Sequence, residues 1–289
     1  MLEKPILGVI GGSGFYNFTG LTDVETIELD TPFGKPSSPI AIGTLNQRRV
    51  AFLARHGIGH TLLPAEVNYR ANIYALKALG VQYVVGVSAC GSLRHDFEPG
   101  HMVVPDQIVD FTRGRKSSFF GDGLVVHVGV ADPFCNELST LLVAAADQSG
   151  ANVHKGGAFI TIEGPRFSTR GESNLFRAWG ITIVGMTACP EAFLAREAEL
   201  SYATLAHITD YDVWHVTEAP VSVDMVVRTL GQNAEKANQT IANLVGMLPE
   251  QNDCNCTHAL ADAIITNRAH IKPEARQKLG VLVEKYLSE

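Results

Sequence analysis

The sequence predicts an α/β fold: a single domain with a central mixed, mainly parallel β-sheet flanked by helices. Apolar segments typical of buried strands alternate with helical segments along almost the whole chain. Such alternation is typical of βαβ units with helices on both faces of a sheet. Neither an internal repeat nor a low-complexity linker divides the 289 residues, and α/β domains often reach this size. We therefore expect residues 1–289 to form one domain, with residues 250–289 as a helical extension of it.

The individual elements follow from the local pattern of apolar residues. The predicted strands are 6–10, 39–44, 49–54, 83–89, 102–109, 158–161, 181–186 and 202–209. The predicted helices are 68–78, 136–148, 170–179, 191–199, 223–245 and 273–287. A polar break at 251–257 connects the last two helices.

The composition excludes several classes of partner. The chain is 46% hydrophobic and 18% charged, with a formal net charge of -7. It has no basic stripe of the kind that binds nucleic acid, and no apolar run of about 18 residues that would span a bilayer. The first residues, MLEKPILGVIGG, enter a strand and lack the cleavage site of a secretory signal. We expect a cytoplasmic protein with no nucleic-acid or membrane partner.

The five cysteines do not suggest a disulfide framework, because their number is odd and the context is not secretory. Cys254 and Cys256 form a CxC pair that fits a redox-labile bridge, half of a metal site or two idle thiols. No second cysteine pair or histidine cluster in the sequence completes a zinc site. We therefore expect idle thiols and no bound metal.

The most informative stretch is TLAHITDYDVW, in which a buried strand ends at two acids, Asp210 and Asp212. Residues two apart on a strand point to one face. Open α/β sheets bind ligands at the carboxyl ends of their strands, so both carboxylates are predicted to face one cleft. A solvated turn at the strand exit is the alternative, since Asp is common there.

A glycine-rich turn follows the first predicted strand, in ILGVIGGSGF. Its backbone amides and the Ser13 hydroxyl are suited to hold an anion. A dinucleotide-binding fingerprint would need glycine at position 17, which is Asn17, and a helix after it, whereas residues 17–20 suggest more turn. A phosphate loop is therefore preferred over a Rossmann site, and a tight turn without a ligand remains open.

Two further predicted strands end in residues suited to an anion. Arg55 and His56 end one of them, and a guanidinium beside an imidazole suits a phosphate or a carboxylate. Small residues from Ser88 and Ala89 onward end the other and let a ligand approach the backbone. Cys90 is discounted as a nucleophile, because no histidine or acid is adjacent in sequence to activate it.

The segment ITIEGPRFSTRGES places Phe167 after another predicted strand, where it would stack on a planar ligand or pack in the core.

Taken together, the predicted strand ends place hydrogen-bond donors suited to an anion opposite a pair of acids. This combination fits phosphate at one end of a cleft and a nitrogen heterocycle at the other. The donors are Ser13, Arg55, His56, Ser88 and Thr187.

The chain resembles a known family in the motifs that it carries. The motifs IGGSGF, TPFGKPS, LARHGIGHTLLPAEVNYRANIYALK, ACGSL, DPFC, TIEGPRFSTRGES, GMTACPE and TDYDVW occur in the order seen in the trimeric purine nucleoside phosphorylases. The match extends from about Gly8 to Val227, whereas the last fifty or so residues are less diagnostic. The resemblance implies a nucleoside phosphorylase-like fold.

The resemblance also implies a reaction, in which phosphate displaces adenine from C1′ of 5′-methylthioadenosine and gives 5-methylthioribose 1-phosphate. Such a pentosyltransferase of methionine and purine salvage needs no cofactor beyond phosphate as co-substrate. A homotrimer, possibly paired into a hexamer, is implied as well.

The roles of individual residues carry over from the family motifs. Phosphate would be bound by Ser13, Arg55, His56, Ser88, Ala89 and Thr187. The substrate would be contacted by Phe167, Met186, Asp210, Tyr211, Asp212 and, from the neighbouring subunit, His127.

Asp210 is predicted as the general acid, with Asp212 in support. Cleavage of the glycosidic bond places negative charge on the purine, which a proton shared with N7 relieves. An aspartate holds that proton only if its pKa is raised, and burial beside a second carboxylate raises it.

Two positions predict the choice of base. Relatives that act on 6-oxopurines carry Glu where Ser168 stands and Asn where Asp210 stands. Adenine has an acceptor at N1 and a donor at N6, which suits Ser168 and Asp210. An apolar wall from Val223, Val226 and Val227 would favour a 5′-methylthio group over a hydroxyl, by only about 10²-fold.

Several other functions remain open from the sequence. The nearest is a phosphorylase for purine nucleosides or methylthioinosine with a preference for 6-oxopurines. A hydrolytic nucleosidase is disfavoured, because water needs no set of anion donors. A non-catalytic nucleoside or phosphate sensor is the remote alternative.

Overall fold

The computed structural model describes residues 3–13, 15, 20–215 and 221–287. One mixed sheet of 11 strands crosses this part of the chain. Six of its ten strand pairings are parallel, and four are antiparallel. The sheet is therefore mixed and mainly parallel, as the sequence predicts.

The strands are β1 (Leu7–Gly11), β2 (Thr22–Ile27), β3 (Ile40–Leu45), β4 (Arg48–Ala54), β5 (Tyr83–Ser92), β6 (Met102–Val104), β7 (Gln107–Phe111), β8 (Val153–Lys155), β9 (Ala158–Ile162), β10 (Ile183–Gly185) and β11 (Ser201–Asp210). The α-helices are α1 (Tyr69–Ala78), α2 (Asn136–Gln148), α3 (Arg170–Ala178), α4 (Ala188–Glu197), α5 (Val223–Met247), α6 (Pro273–Leu279) and α7 (Glu284–Leu287). Short 3₁₀ turns cover Asn255–His258, Arg268–His270 and Gly280–Leu282. No helix in these ranges is both long and apolar enough to cross a bilayer.

The centre of the sheet is four parallel strands in the order β4, β1, β5 and β11. Gly11 at the end of β1 pairs with Ala54 of β4 on one side and with Val87 of β5 on the other. The carboxyl ends of these strands therefore meet at one edge of the sheet. Ligands bind at such an edge in open α/β folds.

Helices cover both faces of this sheet. Successive side chains of a strand point to opposite faces, so apolar residues on each face pack against helices. On one face, Val9 and Val85 pack in a buried cluster with Leu142 of α2 and Leu244 of α5. On the other face, a second buried cluster joins α1, α4 and the C-terminal segments, including Ile10, Val84, Leu76, Leu194, Leu279, Leu282 and Leu287. The segments after residue 250 thus share the core of the sheet domain.

The structure differs from the predicted elements in a few places. Residues 102–109 form two strands rather than one, since the chain leaves the ladder at Pro105, which has no N–H to donate. The predicted helix 273–287 is broken at Gly280, where φ is +47°. Strand Thr22–Ile27 was not predicted, because it lies at the exposed edge of the sheet and lacks an apolar run. The three-residue strand Val153–Lys155 was also not predicted.

Candidate active site

A cavity of about 610 Å³ opens at the carboxyl edge of the central strands. Its walls come from the turns after β1, β4, β9, β10 and β11, from β5 and from the first turns of α5. Fourteen of the sixteen residues predicted for the site line it: Ser13, Arg55, His56, Ser88, Ala89, Phe167, Ser168, Met186, Thr187, Asp210, Asp212, Val223, Val226 and Val227. His60, Gly12 and Cys90 line it as well.

Two predicted substrate residues lie elsewhere in the described chain. The Tyr211 hydroxyl donates to the carbonyl oxygen of His95 at 3.2 Å, so the ring points away from the cavity. His127 is exposed, and its backbone N–H donates to the carbonyl oxygen of Ala263 at 2.9 Å. Its assignment to a neighbouring subunit stays a prediction.

The turn after β1 brings backbone close to the cavity floor. The N–H of Gly12 donates to the carbonyl oxygen of Val87 at 3.0 Å. A Cβ atom at position 12 would lie 2.5 Å from that oxygen and 2.7 Å from Nη1 of Arg55, so only glycine fits here. The predicted turn at residues 17–20 lies largely outside the described residues, which resume at Gly20.

Arg55 is completely buried and held by a bidentate ion pair with Glu191 of α4. Nε and Nη2 each donate to a Glu191 carboxylate oxygen at 2.8 Å, and Nη1 donates to the carbonyl oxygen of Val87 at 2.8 Å. Burial opposes the charge of Arg55, but the Glu191 carboxylate outweighs it and holds the pKa of Arg55 above its ordinary value. The guanidinium is therefore a fixed cation beside Gly12.

His56 lies next to this cation on the cavity wall. Its Nδ1 is 2.9 Å from the carbonyl oxygen of Leu62, and since a carbonyl only accepts, Nδ1 carries the hydrogen. Burial and the nearby charge of Arg55 lower the pKa of His56 to about 4. The ring is therefore neutral, with Nε2 as an acceptor rather than a donor. It stacks on the ring of His60 at a centroid distance of 4.5 Å.

Ser88 and Thr187 form the next pair of donors. Antiparallel β10 and β5 pair Ile183 with Ser92 and Val184 with Gly91, and the same register continued beyond β10 brings Thr187 beside Ser88. Their hydroxyl oxygens are 3.4 Å apart. Thr187 precedes α4 without using its side chain as a helix cap, so its hydroxyl remains directed at the cavity.

Asp210 is the last residue of β11 and is 4% exposed. Burial raises its pKa to about 6, against the hydrogen bonds that its carboxylate accepts from the Thr209 hydroxyl and the Asp212 N–H, each at 2.7 Å. The carboxyl group therefore gains or loses its proton close to neutral pH.

Asp212 faces the same cavity, but not through strand alternation. The prediction that both acids sit two apart on one strand is wrong in this detail, because β11 ends at Asp210 and Asp212 lies in a turn with φ of +50°. A register shift between Ile208 and Asp210 precedes this turn.

Unpartnered polar atoms surround Asp212. Its Oδ2 and the Oγ atoms of Ser168 and Ser173 are buried without a hydrogen-bond partner within the described residues. Burial raises the pKa of Asp212. Buried polar atoms of this kind are normally satisfied, so this end of the cavity is suited to a ligand with its own donors and acceptors.

The remaining walls are apolar. Phe167, Met186 and the first turns of α5 supply them. Val223 and Val227 are 66% and 61% exposed, because their side chains project from the helix towards the opening of the cavity.

Sequence reasoning missed three residues that hold the site in place. Glu191 and Arg115 each carry a buried charge, and the Tyr202 hydroxyl donates to Glu191 at 2.8 Å. Arg115 donates to the carbonyl oxygens of Met186 and Cys189, each at 2.8 Å, and so fixes the turn that carries Thr187. The available signal was an acid within the apolar start of a helix, PEAFLA, for Glu191; Arg115 lies in a charged loop with no such signal.

Cys90 lines the cavity as a buried thiol whose pKa burial raises above the ordinary value. A raised pKa disfavours the reactive thiolate.

The fold and the site together define an α/β protein with one cavity whose lining is suited to an oxyanion and a polar ring. The family model of the phosphorylase superfamily matches residues 6–246, and the chain belongs to this superfamily. S-methyl-5′-thioadenosine phosphorylase of Geobacter sulfurreducens is 50% identical over 285 residues, covering 98% of this chain and 100% of the relative.

Solved structures give the same result. A methylthioadenosine phosphorylase from an Antarctic soil metagenomic library has a TM-score of 0.92 and 46% identity, with 97% of this chain and 99% of that chain covered. The methylthioadenosine phosphorylase of Schistosoma mansoni in complex with adenine has a TM-score of 0.83 and 39% identity, with 86% of this chain and 93% of that chain covered.

Proposed function

We propose that this chain catalyses the phosphorolysis of S-methyl-5′-thioadenosine to adenine and 5-methylthioribose 1-phosphate, a pentosyl transfer in methionine and purine salvage. The observation that carries the proposal is a single cavity with fixed anion donors and a carboxyl group whose pKa is about 6. The names of the relatives in the superfamily support the same activity.

The phosphate site consists of Ser13, Arg55, His56, Ser88, Ala89 and Thr187. Arg55 supplies the permanent charge, and Glu191 keeps it in one orientation. The Ser88 and Thr187 hydroxyls, 3.4 Å apart, donate to phosphate oxygens. Phosphate bound here is a nucleophile for C1′ and also stabilises the positive charge that develops on the ribose.

Asp210 acts at the other end of the reacting bond. As the bond from C1′ to the purine breaks, negative charge accumulates on the ring, and a proton shared with N7 makes adenine a better leaving group. A carboxyl group with a pKa of about 6 is partly protonated near neutral pH, which suits this transfer. Its hydrogen bond to the Asp212 N–H fixes the orientation of the carboxyl group.

The adenine edge is recognised by Asp212 and Ser168. The unpartnered Oδ2 of Asp212 accepts from the exocyclic amine, and the Ser168 hydroxyl donates to a ring nitrogen. A 6-oxopurine presents an acceptor where adenine presents its amine, so it would leave Asp212 Oδ2 unpaired.

The 5′ end of the substrate lies against apolar side chains, with Met186 beneath the ribose and Val223 and Val227 beside the methylthio group. A 5′-hydroxyl placed there would lack a partner. Adenosine is therefore a slower substrate, by about 10²-fold.

We also propose that the protein is a cytoplasmic homotrimer. In this trimer His127 of each subunit closes the 5′ end of the neighbouring subunit's cavity, and measuring the mass of the assembly distinguishes a trimer from a hexamer of two trimers. Exposed apolar side chains near His127 in sequence, Val125 and Val130, support an interface there, since such patches mark contacts between proteins. Light scattering gives the mass of the assembly. Mixing inactive Asp210→Asn and impaired His127→Ala subunits tests the shared site, because a mixed trimer contains intact sites and regains activity.

The experiment that tests the function measures adenine release from methylthioadenosine with and without phosphate, beside inosine and methylthioinosine. We expect release that depends fully on phosphate and little action on either 6-oxopurine. Asp210→Asn serves as the inactive variant and Asp147→Asn, exposed on α2, as its matched control. Release without phosphate would indicate a nucleosidase, and preference for inosine would overturn the assignment of the base edge.

A further inference from the structure

Three cysteine thiols converge outside the cavity. Cys135 immediately precedes α2, and Cys254 lies 119 residues further on. The Cys254 sulfur is 3.3 Å from that of Cys135 and 3.0 Å from that of Cys256, and all three sulfurs lie within 4.8 Å of one another. The CxC pair that looks isolated in the sequence therefore has a third thiol beside it.

A carboxylate completes the cluster. Oε2 of Glu137, in the first turn of α2, is 3.1 Å from the Cys254 sulfur and 3.4 Å from the Cys135 sulfur. Four donor atoms around one zinc ion, with Zn–S of about 2.3 Å and Zn–O of about 2.0–2.2 Å, lie about 3.5–3.8 Å apart. Small rotations of these side chains are enough to produce that spacing.

Backbone N–H groups already point at two of the sulfurs. The Leu138 N–H donates to Cys135 Sγ at 3.4 Å, and the Cys256 N–H donates to Cys254 Sγ at 3.3 Å. Such hydrogen bonds orient thiolate ligands and stabilise their charge. Cys135 and Cys256 are buried, whereas Cys254 is half-buried, which gives an ion a path from solvent.

We propose that Cys135, Cys254, Cys256 and Glu137 form a structural site for one zinc ion. Binding replaces three thiol protons by the metal, so affinity falls with falling pH. The ion would join the segment after residue 250 to the start of α2, where the Cys135 N–H donates to the carbonyl oxygen of Tyr202 on β11 at 2.8 Å. Closed sites with four protein ligands serve stability rather than catalysis, and none of these four residues lines the cavity.

The experiment uses the full chain, reduced with a phosphine and stripped with a chelator. It is then equilibrated with Zn²⁺ alone, and with Co²⁺ as a spectroscopic probe. We expect one metal ion per chain after desalting, a higher Tm in the metal-loaded protein and thiolate-to-cobalt absorption. Cys254→Ser should abolish all three signals, and Glu137→Gln should weaken metal affinity by at least about tenfold. Asn255→Ser, exposed within the same CxC segment, is the matched control and should bind like the unmodified chain.

Two results would overturn the site. The first is metal retention in the unmodified chain no greater than in Cys254→Ser, which would mean that no ion is bound or that it is bound elsewhere. The second is a thiol titration that finds two of the three cluster sulfurs joined as a disulfide after equilibration with Zn²⁺ under reducing conditions. Because the metal content is measured directly, the result does not depend on the proposed phosphorolysis.

Discussion

Arg55 and Glu191 form an ion pair in which both side chains are completely removed from solvent, with two contacts of 2.8 Å. They are 136 residues apart in sequence and connect β4 to α4. A buried charge requires such a partner. The cation of the proposed phosphate site is therefore available only because α4 supplies an acid beside it.

Replacing Glu191 by Gln should damage both stability and phosphate binding. The change leaves the Arg55 charge buried without its counter-ion, which costs about 3–5 kcal/mol, and frees the guanidinium to move. We expect a lower Tm and a raised KM for phosphate, measured by thermal unfolding and steady-state kinetics. Asp122→Asn, which breaks the exposed pair with Lys278, is the control and should leave both unchanged. An unchanged phosphate KM in Glu191→Gln would show that the pair does not position Arg55 for phosphate.

The rate of phosphorolysis should depend on the protonation of Asp210. Since burial raises its pKa to about 6, the acid form is depleted above that pH, and kcat/KM should fall by about tenfold per pH unit there. Asp210→Asn should lower kcat/KM by about 10²–10⁴ and remove this limb. The profile is measured at constant phosphate dianion. A limb that survives in Asp210→Asn would assign it to another group.

The raised pKa of Asp210 also determines how the stability of the fold changes with pH. Between about pH 4, the unfolded value, and about pH 6, the folded state binds the Asp210 proton more tightly. Asp210 therefore makes folding less favourable as the pH rises through this window. Asp210→Asn should gain stability relative to the unmodified chain as the pH is raised from 4 to 6 in denaturant titrations.

His207 should make the fold sensitive to acid. Both of its ring nitrogens are buried without a partner in the described residues, and burial lowers its pKa to about 4. Between about pH 6.5 and 4 the unfolded state binds the proton more tightly, so stability falls by about 1.4 kcal/mol per pH unit as the pH decreases. His207→Asn should reduce this slope, as measured by denaturant unfolding. His270→Asn, at an exposed position, should not; equal slopes in both variants would contradict the assignment.

Gly12→Ala should impair phosphate use. The added methyl group would lie 2.5 Å from the Val87 carbonyl oxygen and 2.7 Å from Arg55 Nη1, so the turn or the guanidinium must shift. A displacement of about 1 Å can cost about 10²-fold in rate, and we expect a loss of that order in kcat/KM for phosphate. Gly129→Ala, whose Cβ would meet nothing within 4 Å, is the control. Normal kinetics in Gly12→Ala would show that the turn yields without cost.

The strand ends carried most of what could be predicted from the sequence. Ser13, Arg55, Ser88 and Asp210 follow or end apolar runs, and parallel pairing alone brings such positions to one edge. Thr187 joins them through an antiparallel register that its own sequence does not reveal.

What could not be predicted depends on contacts between distant segments. Glu191 is recognisable only beside Arg55, and Cys135 only beside Cys254. Asp212 reaches the cavity through a turn with positive φ and not through the strand alternation from which its position was predicted. Local periodicity carries no information about such pairings.

Arg115 touches both halves of the cavity wall. It donates to the carbonyl oxygens of Met186 and Cys189 on one side and of Glu163 on the other, where the chain leads on to Phe167 and Ser168. One guanidinium thus fixes the distance between the wall of the proposed phosphate site and the wall of the proposed purine site. In the proposed reaction the two co-substrates would therefore share one rigid frame rather than two independent pockets, and Arg115, which is not among the residues lining the described cavity, would keep its dimensions.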